Sequence, residues 1–267
     1  MPELSYLGWR APNEIPKSRD DLTNHWGLIS RPLSYQHIVN SPQERSLSVQ
    51  ADDSPSNATT PDNRQDIRVL LFDVGGVLVE LSGVTTLLGW LEHRITAQEL
   101  WSLWRHSPSV RAFETGRIDA GKFAAGVLAE LRLDIDAGHF LESFTHWPTG
   151  LYPGALQMIE RIPSHYRRAL LSNSNLLHWR RVLEEMGLGA VFEHQFASHL
   201  MGKIKPDTEA VEHVLESLDC RAAQVLFLDD NALNVEAARN IGMRAQLMRG
   251  VHEAQRSLQQ AGIITVC

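Results

Sequence analysis

Short apolar runs alternate along this chain with stretches whose apolar residues recur every three or four positions. The run Ile67–Phe72 (IRVLLF) is the clearest. It ends at Asp73 and two glycines, the pattern of a strand buried on both faces. Similar strands are predicted at Arg168–Leu171 and Val225–Leu228, with weaker ones near Gln195–Ser198 and Ala245–Met248. Between them, Met158, Ile159 and Ile162 have helical spacing, as do Val211, Val214, Leu215 and Leu218, and then Val235, Ala238 and Ile241. Strands alternating with helices predict an α/β fold, a parallel sheet covered on both faces. Open sheets of this kind bind ligands beyond the carboxyl ends of their strands.

Two stretches break the alternation. From Val84 to Trp147 the pattern is helical throughout (LLGWLEHR, AQELWSLWRH, AGKFAAGVLAELR, AGHFLESFTHW). Residues 84–147 are therefore expected to form a helical cap inserted between two parts of one core, 67–83 and 148–267. Trp90, Trp101 and Trp104 are expected in its interior. The other stretch is residues 1–66. Ser41–Asp66 is rich in Ser, Asp, Asn and Pro and carries few large apolar residues, too few to offset the entropy of ordering. A disordered N-terminal arm is expected there.

Composition narrows the partners. With 43% hydrophobic and 21% charged residues, the 267-residue chain has the make-up of a soluble globular protein. No apolar run is long enough to cross a bilayer, and no secretory signal is evident. Two cysteines, Cys220 and Cys267, make a disulfide framework an unpromising reading, and a reducing cytoplasm fits. The formal net charge of −7 argues against general affinity for nucleic acid or anionic membrane. An anionic substrate would need a local positive site.

The chemistry is expected at four strand ends. Asp73 opens Asp73-Val74-Gly75-Gly76-Val77-Leu78; Ser172 opens Ser172-Asn173-Ser174-Asn175; Lys205 precedes Pro206; Asp229 and Asp230 precede Asn231-Ala232-Leu233-Asn234. Adjacent strand ends lie ~5 Å apart, so carboxylates gathered there repel and raise one another's pKa. Cationic compensation is then required, and oxygen-only ligands favour a hard cation such as Mg²⁺. Three carboxylates, Mg²⁺ and Lys205 sum to about zero formal charge, so a phosphate dianion would meet a roughly neutral site. Ser172 and the backbone N–H groups of Asn173 and Ser174 lead into a helix, a natural oxyanion cradle. There is no Walker loop, no Gly-x-Ser-x-Gly elbow and no His-Glu-x-x-His.

Taken in order, these four segments resemble the motifs of the haloacid dehalogenase (HAD) superfamily, from Ile67 to about Gly250. The resemblance implies a Rossmann-like core with a helical cap after the first motif. It also implies a phosphatase acting through an aspartyl-phosphate on a small phosphorylated metabolite. On that resemblance Asp73 is the nucleophile. Asp73 and Asp230 hold Mg²⁺ through their side chains, Gly75 holds it through its carbonyl, and Asp229 holds a metal-bound water. Ser172, Asn173 and Lys205 hold the phosphoryl oxygens. One position departs from the pattern: most phosphatases of the superfamily carry a second Asp two residues after the nucleophile, and here that residue is Gly75. The segments around Asp73, Ser172–His178 and Asp229–Asn234 are similar to a branch that includes α-D-glucose-1-phosphate phosphatase, which implies a sugar phosphate. His178 is a candidate for the missing general acid or for a substrate contact. Two alternatives stay open: a haloacid dehalogenase, which needs no metal, and a non-catalytic phosphate- or partner-binding relative.

Overall fold

The computed structural model describes residues 67–265, and the arm expected at 1–66 lies outside them. Among the described residues, five strands form one parallel sheet: β1 (Val69–Phe72), β4 (Arg167–Ser172), β5 (His194–Ala197), β6 (Val225–Asp229) and β7 (Arg244–Leu247). Their order is β5-β4-β1-β6-β7, which puts β1 at the centre. Val69 lies beside Arg167 on one flank and Val225 on the other, and Phe72 beside Leu170 and Leu228. With pairing on both edges and helices on both faces, every β1 residue is buried, so the run is apolar without alternation.

The two-residue strand period still sorts the core. Leu70, Phe72, Leu170, Leu226 and Leu228 face one apolar layer, with Met158, Ile159, Ala254 and Leu258 from helices α6 (Ala155–Glu160) and α12 (Gly250–Gln260). Val69, Leu71, Ala169, Leu171 and Phe227 face the other, with Val211, Val214, Val235 and Ala238 from α10 (Thr208–Ser217) and α11 (Ala232–Asn240). The expected parallel α/β sheet is thus present, with all five predicted strands in place.

Between β1 and α6 the chain makes a two-stranded antiparallel ribbon, β2 (Val79–Leu81) with β3 (Pro148–Leu151), which the hydrophobic pattern does not announce. Each strand is three or four residues long, and Leu81 and Thr149 face solvent. Five helices lie between these strands: α1 (Gly83–Trp90), α2 (Ala97–His106), α3 (Pro108–Glu114), α4 (Ala120–Leu131) and α5 (Ala137–Thr145). Thr96 caps α2 in a capping box with Glu99; Asp119 and Asp136 cap α4 and α5. α3 escapes the periodicity but carries its own start signal, Ser107 as N-cap with Pro108 at the first helical position.

Aromatic rings fill the interior of this helical segment. Phe113 and Phe123 stack at 4.3 Å, Phe123 and Phe144 lie 4.8 Å apart, and Trp104 packs on Trp147 at 5.3 Å. Trp90 joins them through Phe140. Trp101, expected inside, is instead 51% exposed on the outer face of α2.

Candidate active site

Because β1 and β6 are neighbours in register, the residues that follow them meet. Asp73 extends the ladder, its N–H donating to the Leu228 carbonyl at 2.8 Å, and Asp229 is the last residue of β6. Asp73, Asp229 and Asp230 each offer a carboxylate oxygen within 4.8 Å of the others.

Lys205 enters from elsewhere. Expected at a strand end, it lies instead in the turn between α9 (Ser198–Met201) and α10, beyond β5. The Asn173 side chain brings it in: its Nδ2 donates to the Lys205 carbonyl at 2.8 Å and its Oδ1 accepts from the Lys205 N–H at 2.9 Å. The buried Lys205 ammonium then donates to Asp73 Oδ1 at 2.7 Å, Asp229 Oδ2 at 2.7 Å and the Leu171 carbonyl at 2.8 Å. All three of its protons are used. Asp229 is likewise filled. Its Oδ1 accepts from the Asn231 N–H at 2.8 Å, and the Asn234 amide donates to both its oxygens. Asp229 is thereby an anchor for Lys205 and Asn234. Among the described residues Asp73 Oδ2 carries no hydrogen bond, and the Asp230 carboxylate is helped by the charges of Lys205 and Arg249 and by its own backbone N–H.

Charge crowding shows in the titration of these groups. Burial pushes Asp73 up to about 8 against the pull of Lys205, with Asp229 and Asp230 adding repulsion. Burial, and then Asp229, raise Asp230 to about 6. Burial alone would lower Lys205, but Asp229 and Asp73 outweigh it and hold the ammonium above its ordinary range.

The expected oxyanion cradle forms only in part. Ser172 ends β4 and is buried, with its hydroxyl uncommitted apart from a long 3.4 Å contact to the Asn173 carbonyl. The Ser174 N–H is spent on Ser198 Oγ at 2.9 Å, so it does not face the site. The Asn173 side chain is tied to Lys205, as above, which leaves its backbone N–H. His178 also departs from expectation. Its Nε2 donates to the Phe144 carbonyl at 2.6 Å, and its Nδ1 accepts from the Asn175 amide at 3.2 Å. The ring stacks on Phe144 at 4.3 Å, and burial pushes its pKa down to about 4. An imidazole kept neutral with both nitrogens taken has no proton to lend. It joins α7 (Leu176–Arg180) to α5 instead.

The family described as haloacid dehalogenase-like hydrolase matches residues 67–242. The chain belongs to the haloacid dehalogenase-like hydrolases. It is 26% identical to a Mycobacterium tuberculosis phosphatase over 191 residues, 66% of this chain and 88% of that protein. It is 28% identical to a Pseudomonas syringae phosphoglycolate phosphatase over 186 residues, 66% of this chain and 67% of that one. A sesquiterpene phosphatase of Aspergillus oryzae is 49% identical over 53 residues, 20% of this chain; the match spans only 27% of that protein's length. In fold, the chain is similar to a HAD family enzyme of Bacteroides thetaiotaomicron solved with magnesium and inorganic phosphate. That likeness has a TM-score of 0.55 and 21% identity, covering 68% of this chain and 94% of the other.

Within this hydrolase the departure at Gly75 has a structural counterpart. A Cβ placed on Gly75 would lie 2.8 Å from Leu81 Cδ1, so the β2 leucine occupies the space into which a residue-75 side chain would grow. Gly76 is tighter. Its φ is +74°, and a Cβ there would lie 2.2 Å from Asp230 Oδ2. The N–H of Gly76 donates to the Val79 carbonyl, and Val79 in turn donates to Val74, a pattern that leaves the Gly75 carbonyl out of the ladder.

One titratable group that the sequence does not single out also bears on the site. Glu114, the last residue of α3, has its pKa raised to about 7 by burial, with the charge of Lys205 pulling the other way. A helix ending in Glu-Thr-Gly inside an amphipathic insert gives no sign that its last carboxyl will sit near a lysine 91 positions later in the sequence, as 205 − 114 counts it.

Proposed function

We propose that this hydrolase is a Mg²⁺-dependent phosphatase that cleaves a small phosphate monoester through an aspartyl-phosphate on Asp73. One observation carries the assignment: three carboxylates have oxygens within 4.8 Å of one another, with Lys205 ion-paired to Asp73 and Asp229 and Arg249 acting on Asp230 through its charge. Burial first, and the neighbouring carboxylates after it, raise the pKa values of Asp73 and Asp230, and these two carboxylates with the Gly75 carbonyl would make a hard-oxygen donor set. When bound there, Mg²⁺ would supply electrostatic neutralisation of the phosphoryl group.

The chain's own residues do the rest. Lys205 fixes Asp73 Oδ1, which leaves Oδ2 to attack phosphorus. Ser172 Oγ and the Asn173 N–H would cradle the phosphoryl oxygens, and Lys205, its three protons already donated to Asp73, Asp229 and Leu171, would stabilise them through its charge. Asp229 holds Lys205 in place. The helices within residues 84–147 would act as a cap over the strand ends. A dehalogenase has no use for Asp230, which is why the acidic set favours phosphoryl transfer.

Resemblance to the glucose-1-phosphate branch suggests a sugar ester. A second substrate class has a specific observation behind it. Leu81, Leu176 and Leu233, which flank Gly75, Asn175 and Asp230 at the strand ends, are 44%, 55% and 40% exposed. Exposed leucines at these positions would suit an alcohol with an apolar body. The decisive experiment is hydrolysis of p-nitrophenyl phosphate with Mg²⁺ and with chelator, followed by sugar and prenyl-type phosphates. Turnover that needs Mg²⁺ and disappears in Asp73→Asn supports the assignment. Release of halide from a 2-haloacid without metal, or no turnover of any phosphate ester, overturns it.

A further inference from the structure

If the chain is a phosphatase, it lacks the residue that its relatives by motif use to protonate the leaving alcohol, and His178 cannot take that part. We propose that Glu114, at the end of α3, is the general acid and base of the reaction, delivered from the cap rather than from the loop after β1.

Two contacts aim it. One turn before Glu114, Arg111 pairs with Asp207. Two residues after it, Gly116 packs against the core: its φ is +70°, and a Cβ there would lie 2.6 Å from the His199 carbonyl. Both contacts land on the segment 199–207, which holds Lys205 between them. Thr115 satisfies its own hydroxyl by donating to the Arg111 carbonyl at 2.7 Å. Phe113, on the other side, is buried in the aromatic core of the insert. The chain therefore turns inward at Phe113 and is pinned at 111 and 116, and the side chain between is held toward the lysine.

Glu114 has no hydrogen bond or ion pair among the described residues, although it is partly buried and its only charged influence is Lys205. A partly desolvated carboxyl without a protein partner is costly to keep ionised, and it gains most from a polar group that arrives with a ligand. A pKa near 7 suits proton transfer in both directions at neutral pH.

The proton balance closes. In the first step Asp73 Oδ2 bonds to phosphorus as the P–O ester bond breaks. The electron pair of that bond stays on the ester oxygen, which takes the Glu114 proton and leaves as alcohol. In the second step water attacks phosphorus, its proton passes to the Glu114 carboxylate, and the Asp73 carboxylate is released with inorganic phosphate.

The test is the dependence of kcat/KM on leaving-group pKa, measured from nitrophenyl through phenyl to primary alkyl phosphates. With Glu114 as acid the wild-type slope is shallow. Glu114→Gln should steepen it: alkyl phosphates lose ~10²–10⁴-fold, the scale of a positioned general acid, while nitrophenyl phosphate loses less than about tenfold. A uniform loss across the series, or none, overturns the proposal while leaving the phosphatase assignment intact. No wild-type turnover of any ester removes both. Should Glu114→Gln fail to fold, Glu114→Asp serves in its place, because withdrawing the carboxyl by one methylene must slow alkyl more than aryl esters; equal slowing of both overturns the proposal.

Discussion

Replacing Lys205 with methionine keeps the unbranched stem, one atom shorter, and removes the charge, so it isolates what the ammonium does for the fold. In the structure that ammonium lies 2.7 Å from each of Asp73 and Asp229 and 2.8 Å from the Leu171 carbonyl, with almost no exposure. Breaking a buried ion pair by deleting one partner costs about 3–5 kcal/mol, because the other charge is left without compensation. Proton uptake sets a ceiling of similar size. Neutralising one carboxyl of ordinary pKa at pH 7 costs ~4 kcal/mol, about three pKa units at ~1.4 kcal/mol each. For a domain of this size, ~2–4 °C per kcal/mol translates the loss into a Tm about 6–20 °C lower. The penalty is electrostatic, so acidification should return ~1.4 kcal/mol per pH unit for each proton taken up. Burial already pushes Asp73 up to about 8, so Asp229 is the carboxylate that the substitution strands, and adding Asp229→Asn to Lys205→Met should recover stability at pH 7. The assay is thermal unfolding in chelator at pH 7 and pH 5 for the wild type, the single variant and the double variant. A Tm within about 2 °C of wild type, or a loss that does not change with pH and is not repaired by Asp229→Asn, would refute the claim that Lys205 stabilises through charge.

Other outcomes follow from the same site. Mg²⁺ at a hundred times its Kd should stabilise the wild type by about 2.7 kcal/mol in a melting assay, and Asp230→Asn should abolish the gain. Gly76→Ala should lower Tm and remove the Mg²⁺ response together, since its Cβ would meet Asp230 Oδ2 at 2.2 Å from a backbone at φ +74°; an unchanged response would mean that Asp230 is not a ligand. For His178 the folded pKa, about 4, lies below the ordinary 6.5. The unfolded chain therefore binds the proton more readily, and the stability His178 contributes is complete above about 6.5 and lost as pH falls toward 4. The Tm gap between wild type and His178→Asn should accordingly narrow over that window, and a gap that stays constant would mean that the ring is protonated in the fold.

Much of this protein is legible in the order of its residues. The three inner strands carry short apolar runs because a parallel sheet buries both faces, the edge strands His194–Ala197 and Arg244–Leu247 being mixed and only partly buried, and the unbroken Val69–Phe72 run is the direct trace of a central strand. Asp73 and the Asp229-Asp230 pair are identifiable because they interrupt those runs, and polar residues at the carboxyl ends of buried strands gather where ligands bind. Other features have no such local cause. The β2–β3 ribbon pairs Val79 with Leu151 across the whole helical insert, and strands of three or four residues leave no period to read. Trp101 shares its helix with Trp104, yet only the packing of the insert decides that one faces Phe123 and the other faces solvent. His178 is a reasonable candidate acid by its place in the chain, but in the fold Phe144 and Asn175 occupy both its nitrogens. Nothing in the sequence singles out Glu114, but in the fold Arg111 and Gly116 dock on either side of Lys205. Strand identity and the place of Asp73 come from local burial and termination, which sequence encodes directly. The partners of a proton-carrying side chain are set by contacts between segments far apart in the chain, and those exist only once the chain has folded.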